Sequence, residues 1–213
     1  MRIDWIGFCF KTLIISLLTL WLASFSYADE VVLPIRLVVV QRADITVQQQ
    51  IDLFYVAASR LSEVGVTPKI LHIYVVNDII HRNDFSEYIP RLFKWSSWAK
   101  KHRIIKKGIL VHFLLPPITK GPINYGGGVA GALCSMKRVT DHQFSYSIIR
   151  LFNSDGLDRT ENSMISTIHE LLHGVGAKHI EEPQNVMRPY FTPGDNPILE
   201  KTKQQVASCM RIK

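Results

Sequence analysis

Apolar and polar residues alternate in blocks along this chain, and the blocks predict strands and helices that follow one another. Residues 33–40 form a nearly continuous apolar run rich in valine, which is typical of a strand buried on both faces of a sheet. Four later runs are also strand-like: residues 69–76, 109–115, 129–136 and 144–152. Since no internal repeat or obvious linker interrupts the order, we expect a single α/β (α+β) domain.

Helical periodicity occupies segments between and after these strands. Apolar residues recur at helical spacing over residues 47–61, where Asp44 or Thr46 could cap the start of the helix. Residues 85–102 predict a second amphipathic helix, and a short final helix is expected near residues 204–210.

The first 28 residues differ from the rest of the chain. Residues 12–25 are almost wholly apolar, and Ser26 and Ala28 place small side chains where a signal peptidase reads them. The uncharged run is short for a membrane span, which needs about 20 mostly apolar residues. We therefore predict a signal peptide over residues 1–28, no stable membrane anchor, and a secreted or periplasmic mature domain over residues 29–213.

Composition and charge limit the possible partners. The 47% hydrophobic and 20% charged residues are those of an ordinary globular protein. Cleavage of the leader would remove Arg2, Lys11 and Asp4, leaving 23 basic and 17 acidic residues and a net charge of +6. Most basic residues are scattered, and the densest cluster is interpreted as a solvated helix end. Trp95 and Trp98 are better explained by a helix packing on a sheet than by stacking on bases, so no nucleic-acid partner is expected.

Cysteine usage is typical of an exported protein. Cys9 would leave with the leader, so the mature chain would hold only Cys134 and Cys209. An even pair in an exported protein indicates one disulfide, and two buried free thiols are the alternative. Two thiols are too few for a closed, cysteine-rich zinc site.

The clearest chemistry lies in a histidine cluster. Residues 158–161 have the capping-box spacing, and the apolar stripe behind them predicts a helix. His169 and His173 lie four residues apart on it, so both imidazoles can reach one ion at about 2.0–2.1 Å. Glu170 lies about 100° around the helix from His169. Its carboxylate is therefore beside the metal rather than among its ligands, where a base for metal-activated water must sit.

A third ligand follows the helix. Gly176 can adopt the left-handed conformation that stops a helix and redirects the chain, and His179 can then return to the metal. Three protein nitrogens leave one tetrahedral position open, which is typical of a catalytic zinc site. We therefore predict one catalytic Zn²⁺ ion held by His169, His173 and His179.

The histidine segment resembles a known family. Residues 169–179 read HELLHGVGAKH and match the metzincin signature HExxHxxGxxH at every fixed position. The resemblance implies a zinc endopeptidase with a mixed, mainly parallel five-stranded sheet, an antiparallel edge strand, an active-site helix and a C-terminal helix. It also implies a methionine turn beneath the metal, with Met187 at the matrixin-like distance of eight residues from His179.

Upstream, the chain is more similar to the reprolysin and ADAM branch. Residues 126–138 resemble its glycine-containing edge strand, which ends in a Cys-x-x-Lys/Arg segment, and Cys134 and Cys209 stand in places similar to one of its disulfides. The sequence lacks the other reprolysin cysteines and any recognisable matrixin site for structural zinc or calcium. The resemblance therefore implies a reprolysin/ADAM-like catalytic domain with a matrixin-like methionine turn.

The resemblance also implies how substrates bind. An extended protein or peptide substrate would add one strand to the edge strand at residues 129–136. Gly127 and Gly128 would permit its close approach, and Tyr190 would wall the pocket for the residue after the cleaved bond. Apart from these substrates, the protein is expected to be a monomer.

Two other functions are open at this point. A zinc endoribonuclease of the small bacterial type shares a three-histidine motif, although Glu170 and the export signal argue against it. A catalytically silent zinc-containing binding module would keep the same ligands. The other histidines are interpreted as surface or satisfied core residues; they are His72, His81, His102, His112 and His142.

Overall fold

Strands and helices alternate in the order that the apolar pattern predicts. The computed structural model describes residues 31–41, 45–77, 88–106, 108–115, 144–148, 160–189 and 196–211. The elements within these ranges are β1 (Val31–Gln41), α1 (Val47–Ser59), a 3₁₀ helix (Arg60–Val64), β2 (Val66–Asn77), α2 (Tyr88–Lys101), β3 (Leu110–Leu115), β4 (Phe144–Ile148), α3 (Thr160–Gly174) and α4 (Glu200–Arg211). The predicted signal peptide lies outside them.

None of the helices in these ranges combines the length and the apolar character that a membrane span requires.

The described strands form one parallel sheet in the order β2-β1-β3-β4. Strand β1 pairs with β2 along its whole length and with β3 from Ile35 to Val39, and β3 pairs in turn with β4. The α/β fold with its mainly parallel sheet is confirmed for this part of the chain, as are the helix that carries the first two predicted ligands and the C-terminal helix. The fifth, antiparallel edge strand was expected at residues 129–136, which are outside the described ranges, so the five-stranded sheet stays a prediction.

Helix α1 begins with a reciprocal cap. The Gln49 backbone N–H donates to Thr46 Oγ1 at 3.1 Å, and the Thr46 backbone N–H donates to Gln49 Oε1 at 2.9 Å. These two bonds satisfy donors that a helix start leaves unpaired. Thr46 is therefore the cap, whereas the alternative candidate, Asp44, is not among the described residues.

Both faces of the sheet are covered by helices. Odd-numbered residues of β1, such as Leu37, pack in the core beneath α1 and α3, while Val38 and Val40 pack in a second core with α2. Trp95 of α2 is only 1% exposed, and its ring centroid lies 6.0 Å from that of Phe113 on β3. The prediction that β1 is buried on both faces is confirmed, and Trp95 packs on the sheet as expected.

A polar cluster lies inside this otherwise apolar sandwich. His112 of β3 is fully buried, with Nδ1 2.6 Å from Ser145 Oγ and Nε2 2.9 Å from Ser147 Oγ, both on β4. Thr167 Oγ1 of α3 lies 3.0 Å from Ser147 Oγ. His112 is thus a satisfied core residue, and burial lowers its pKa from 6.5 to about 3.

This histidine gives the first prediction. Between about pH 3 and pH 6.5 the unfolded chain binds a proton at His112 that the folded protein does not, so stability falls as the pH falls through this window. From pH 7 to pH 5 the contribution of His112 should be about 2 kcal/mol. We expect His112→Gln, which keeps a side chain able to donate and accept, to lose that much less stability over this range than the wild type. Urea unfolding in chelator at both pH values measures the difference, and equal losses would contradict the assignment.

Candidate metal centre

Helix α3 positions two of the three predicted ligands. His169 and His173 are one turn apart, and their ring centroids are separated by 4.6 Å. The helix is held by contacts with α1 and β4, and most of its side chains are buried. His169 is itself only 5% exposed. The predicted helix is confirmed from Thr160 onward, whereas the start of the predicted capping box, residues 158–159, is not described.

The end of α3 turns the chain toward the third ligand. Gly176 has a φ of +100°, in the left-handed region. Its N–H donates to the His173 carbonyl at 3.0 Å, and the Ala177 N–H donates to the Leu172 carbonyl at 3.0 Å. This pair of bonds is the Schellman arrangement, in which the left-handed residue directs the chain away from the helix axis. His179 follows three residues later, and the turn at Gly176 is the one that the sequence predicted.

The three imidazoles converge on one point through their Nε2 atoms. His173 Nε2 lies 3.0 Å from His169 Nε2 and 3.1 Å from His179 Nε2, and the remaining pair is 3.2 Å apart. Two nitrogens bound at 2.0–2.1 Å to one tetrahedral ion would be about 3.3 Å apart. The structure therefore brings the three predicted residues together in one group that could hold a single ion, while their role as metal ligands stays a prediction.

The other ring nitrogens fix the tautomers. His169 Nδ1 lies 2.6 Å from the Val186 carbonyl oxygen, and His173 Nδ1 lies 2.8 Å from the Ala177 carbonyl oxygen. A carbonyl oxygen only accepts, so each Nδ1 must carry the proton and donate. Each neutral Nε2 then presents a lone pair toward the shared point, and these donors repel unless a cation lies between them. Histidines that bind a metal through one ring nitrogen usually donate the N–H of the other to a carbonyl or carboxylate, and His169 and His173 show this arrangement.

Burial keeps these ligands neutral. It lowers the pKa of His169 to about 3, with the nearby His173 as a smaller cause, and it also lowers the pKa of His173. Metal binding requires the unprotonated imidazole, so neither histidine has to lose a proton near neutral pH before it binds an ion.

Glu170 is the most unusual acidic residue in the described part of the chain. It is 3% exposed, and no described residue offers a hydrogen-bond partner to its Oε2 atom. Burial raises its pKa well above the ordinary value. A cation held by the adjacent histidines would favour the charged carboxylate. A buried carboxyl oxygen without a hydrogen-bond partner is costly, and such groups concentrate at functional sites.

Met187 lies in a buried turn that contacts the metal ligands through its neighbours. Its side chain is fully buried in the core formed under α1 and α3. Its carbonyl accepts from the Ile180 N–H at 2.9 Å, and Val186, one residue earlier, supplies the carbonyl that orients His169. The methionine is thus in a turn linked to the site, while its placement beneath a bound ion stays a prediction.

Several predicted residues are not among those described. Gly127, Gly128, Tyr190 and Cys134 fall in this group, so the substrate-binding strand, the pocket wall and the disulfide stay predictions. Cys209 of α4 is buried at the edge of the main core.

Sequence reasoning missed the groups that orient the ligands. The Val186 and Ala177 carbonyls are backbone groups, which leave no sequence signal of their own. Asn185, whose Oδ1 accepts from the Met187 N–H at 2.8 Å, was also missed. The signal available for it was its type, because asparagine side chains often bond to backbone groups one or two residues away.

Comparison with known proteins supports the fold. No family model and no curated protein matches the sequence. The fold is similar to that in the crystal structure of metalloproteinase-II from Bacteroides fragilis, with a TM-score of 0.50 and 14% sequence identity. The match covers 85% of this chain and 54% of that one, so this chain spans about half the length of the neighbour. At this identity the likeness concerns the fold, and the three-histidine group adds a candidate metal site to it.

The glycine after α3 gives the second prediction. Gly176→Ala is expected to lower the free energy of unfolding by about 1–2 kcal/mol, because an L-residue is strained at this φ. Gly65→Ala is the matched control, since Gly65 has a φ of +73° at the end of the 3₁₀ helix and is not part of the turn that leads to His179. Both variants should lose stability in urea, but only Gly176→Ala should also weaken zinc binding, because His179 depends on that turn. Equal zinc affinity in the two variants would contradict this reasoning.

Proposed function

We propose that this chain is an exported zinc-dependent endopeptidase of the metzincin type. The observation that carries the proposal is the convergence of three histidine Nε2 atoms, with the buried carboxyl group of Glu170 next to the first of them. Three histidines without a fourth protein ligand among the described residues are typical of a catalytic site. The similar fold of a protein named as a metalloproteinase adds support.

The residues of the site have separate roles in this proposal. Zinc, when bound, supplies a Lewis acid that acidifies water and polarises the scissile carbonyl. Glu170 accepts the proton of the attacking water and passes it to the leaving amine. The Val186 and Ala177 carbonyls hold the rings of His169 and His173 in the tautomer that binds metal. Water attacks directly, so no side chain has to form a covalent intermediate.

The finer assignment rests on the sequence resemblance. We place the protein in a reprolysin/ADAM-like group with a matrixin-like methionine turn at Met187. Peptides would bind extended along residues 129–136, near Gly127 and Gly128, with Tyr190 at the pocket wall. A disulfide between Cys134 and Cys209 and a monomeric state complete this proposal.

Export is a separate part of the proposal. The apolar leader and its small residues support cleavage after Ala28. N-terminal sequencing of protein recovered outside the cytoplasm should therefore begin at Asp29. Recovery of uncleaved protein in the membrane fraction would contradict cleavage without affecting the zinc assignment.

The function is tested by mass spectrometry of peptide-library products. Mature protein with one equivalent of zinc should cleave internal peptide bonds, chelator should stop cleavage, and restored zinc should recover it. A structured RNA in a parallel reaction tests the endoribonuclease alternative, which RNA cleavage without peptide cleavage would favour. The silent binding module would be favoured by a different result. The protein would bind zinc and turn over neither substrate, and the wild type and Glu170→Gln would capture the same ligand equally well.

A further inference from the structure

We propose that Asn185 is a positioning residue that ties the third metal ligand, His179, to the carbonyl group that orients the first, His169. Zinc affinity then depends on the side-chain amide of Asn185, although that amide touches neither ligand. The inference rests on the metal site proposed above and adds to it a residue that the metal motif does not contain.

The Asn185 amide is buried and uses both of its polar atoms. Its side chain is 1% exposed. Nδ2 donates to the Ile180 carbonyl at 3.3 Å and also to the Glu182 carbonyl, while Oδ1 accepts from the Met187 N–H at 2.8 Å. One side chain therefore connects the start of the segment 180–187 to its end. Removal of a partner from such a buried set leaves the remaining groups unsatisfied, which is costlier than losing an exposed bond.

Both ends of this segment lead to metal ligands. Ile180 follows His179 directly, and its N–H donates to the Met187 carbonyl at 2.9 Å. Val186 follows Asn185 directly, and its carbonyl oxygen lies 2.6 Å from His169 Nδ1. Asn185 thus stands between the backbone that carries His179 and the carbonyl group that sets the ring of His169.

The segment 180–187 is not stabilised by regular secondary structure. It contains no helix or strand, and Gln184 has a φ of +51°, which is unfavourable for a residue with a side chain. The Val186 N–H donates to the Pro197 carbonyl at 3.2 Å, which fixes one point of the segment from outside. The Asn185 amide adds side-chain contacts to the backbone bond between Ile180 and Met187, and together they hold the two ends of the segment.

The remaining ligand contacts are independent of Asn185. His173 is oriented by the Ala177 carbonyl, which belongs to the turn after α3. The backbone on the other side of His179 is held by α4, because the Lys178 N–H donates to Gln205 Oε1 at 2.9 Å. Loss of the Asn185 amide should therefore loosen the relation between His169 and His179 and leave His173 in place. The expected result is weaker zinc binding rather than complete loss.

Two Asn185 variants and one control test this role. Asn185→Ala removes all three side-chain bonds. Asn185→Asp keeps the acceptor for the Met187 N–H but turns a carboxylate oxygen toward the Ile180 and Glu182 carbonyls. Gln50→Ala is the control, because Gln50 of α1 is also a fully buried amide, and its Nε2 donates to the Val40 carbonyl of β1 at 3.3 Å rather than to the segment 180–187.

The measurement is zinc affinity by competition with a chromophoric chelator, together with urea unfolding of the zinc-free proteins. Both Asn185 variants should bind zinc about 10–100-fold more weakly than the wild type, as is usual when a group that orients a ligand is lost. Gln50→Ala should lose stability while its zinc affinity stays within about twofold. If Asn185→Ala does not fold, Asn185→Asp, which retains one of the bonds, provides the same comparison.

The possible failures are distinguishable. Wild-type affinity in the folded Asn185 variants would overturn the positioning role, and so would an equal loss of affinity in Gln50→Ala, because the effect would then be general destabilisation. A wild-type protein that binds zinc but cleaves no peptide would overturn the proposed function and leave the positioning role intact. A wild-type protein that does not bind zinc would overturn both.

Discussion

Glu170→Gln is expected to lower kcat/KM for peptide hydrolysis by about 10²–10⁴-fold while one zinc ion stays bound per chain. The substitution keeps the size of the side chain and removes its ability to accept a proton. The candidate metal ligands are unchanged, since the group that could hold the ion consists of the three histidines without the carboxyl group. Steady-state kinetics and metal analysis of the same preparation measure the two results together.

The control for this variant is Glu181→Gln, which removes an exposed carboxylate two residues after His179. It makes the same Glu-to-Gln change at an exposed position and leaves the proposed base intact. We therefore expect kcat/KM to stay within about twofold of the wild type. Glu170→Gln should fold at least as stably as the wild type, because burial already disfavours the charged form of Glu170. Activity close to wild type in Glu170→Gln would exclude the general-base role, even if zinc remained bound.

The sequence predicted most of the described elements because their residues repeat at simple periods. The apolar run at residues 33–40 became β1, Val31–Gln41, and its lack of alternation correctly indicated burial on both faces. The three candidate metal ligands were equally accessible to sequence reasoning. His169 and His173 are fixed relative to each other by one helical turn, and Gly176 explains how His179 returns.

The long-range contacts could not be predicted in the same way. His112 bonds to Ser145 and Ser147, which are 33 and 35 residues away, and their meeting depends on the register of β3 with β4. The pairing of β1 with β2 shifts by one residue between Ile35 and Arg36. The apolar pattern of the sequence does not predict such an irregularity. Sequence patterns therefore gave the ligands but not the groups that orient and support them.

His179→Ala is expected to weaken zinc binding by about 10²–10³-fold, if the roughly 10–16 kcal/mol of a four-ligand zinc site is shared about equally among its ligands. Peptide hydrolysis should fall with metal occupancy. His179 is exposed and follows the end of α3, so its removal should cost the zinc-free protein little stability. His72→Ala, which changes an exposed histidine on β2, is the control and should bind zinc like the wild type.

The link between metal and stability makes this prediction sharper. Zinc at 100 times its dissociation constant should raise the free energy of unfolding of the wild type by about 2.7 kcal/mol, because the ion binds the folded state. At the same zinc concentration His179→Ala should gain only about 0.1–0.4 kcal/mol, while Glu170→Gln should gain the full amount. The two inactive variants are then separated by one titration, since one has lost a ligand and the other has kept the ion. A full zinc-dependent gain in His179→Ala would mean that the ion is held elsewhere and that the three-histidine group is not the metal site.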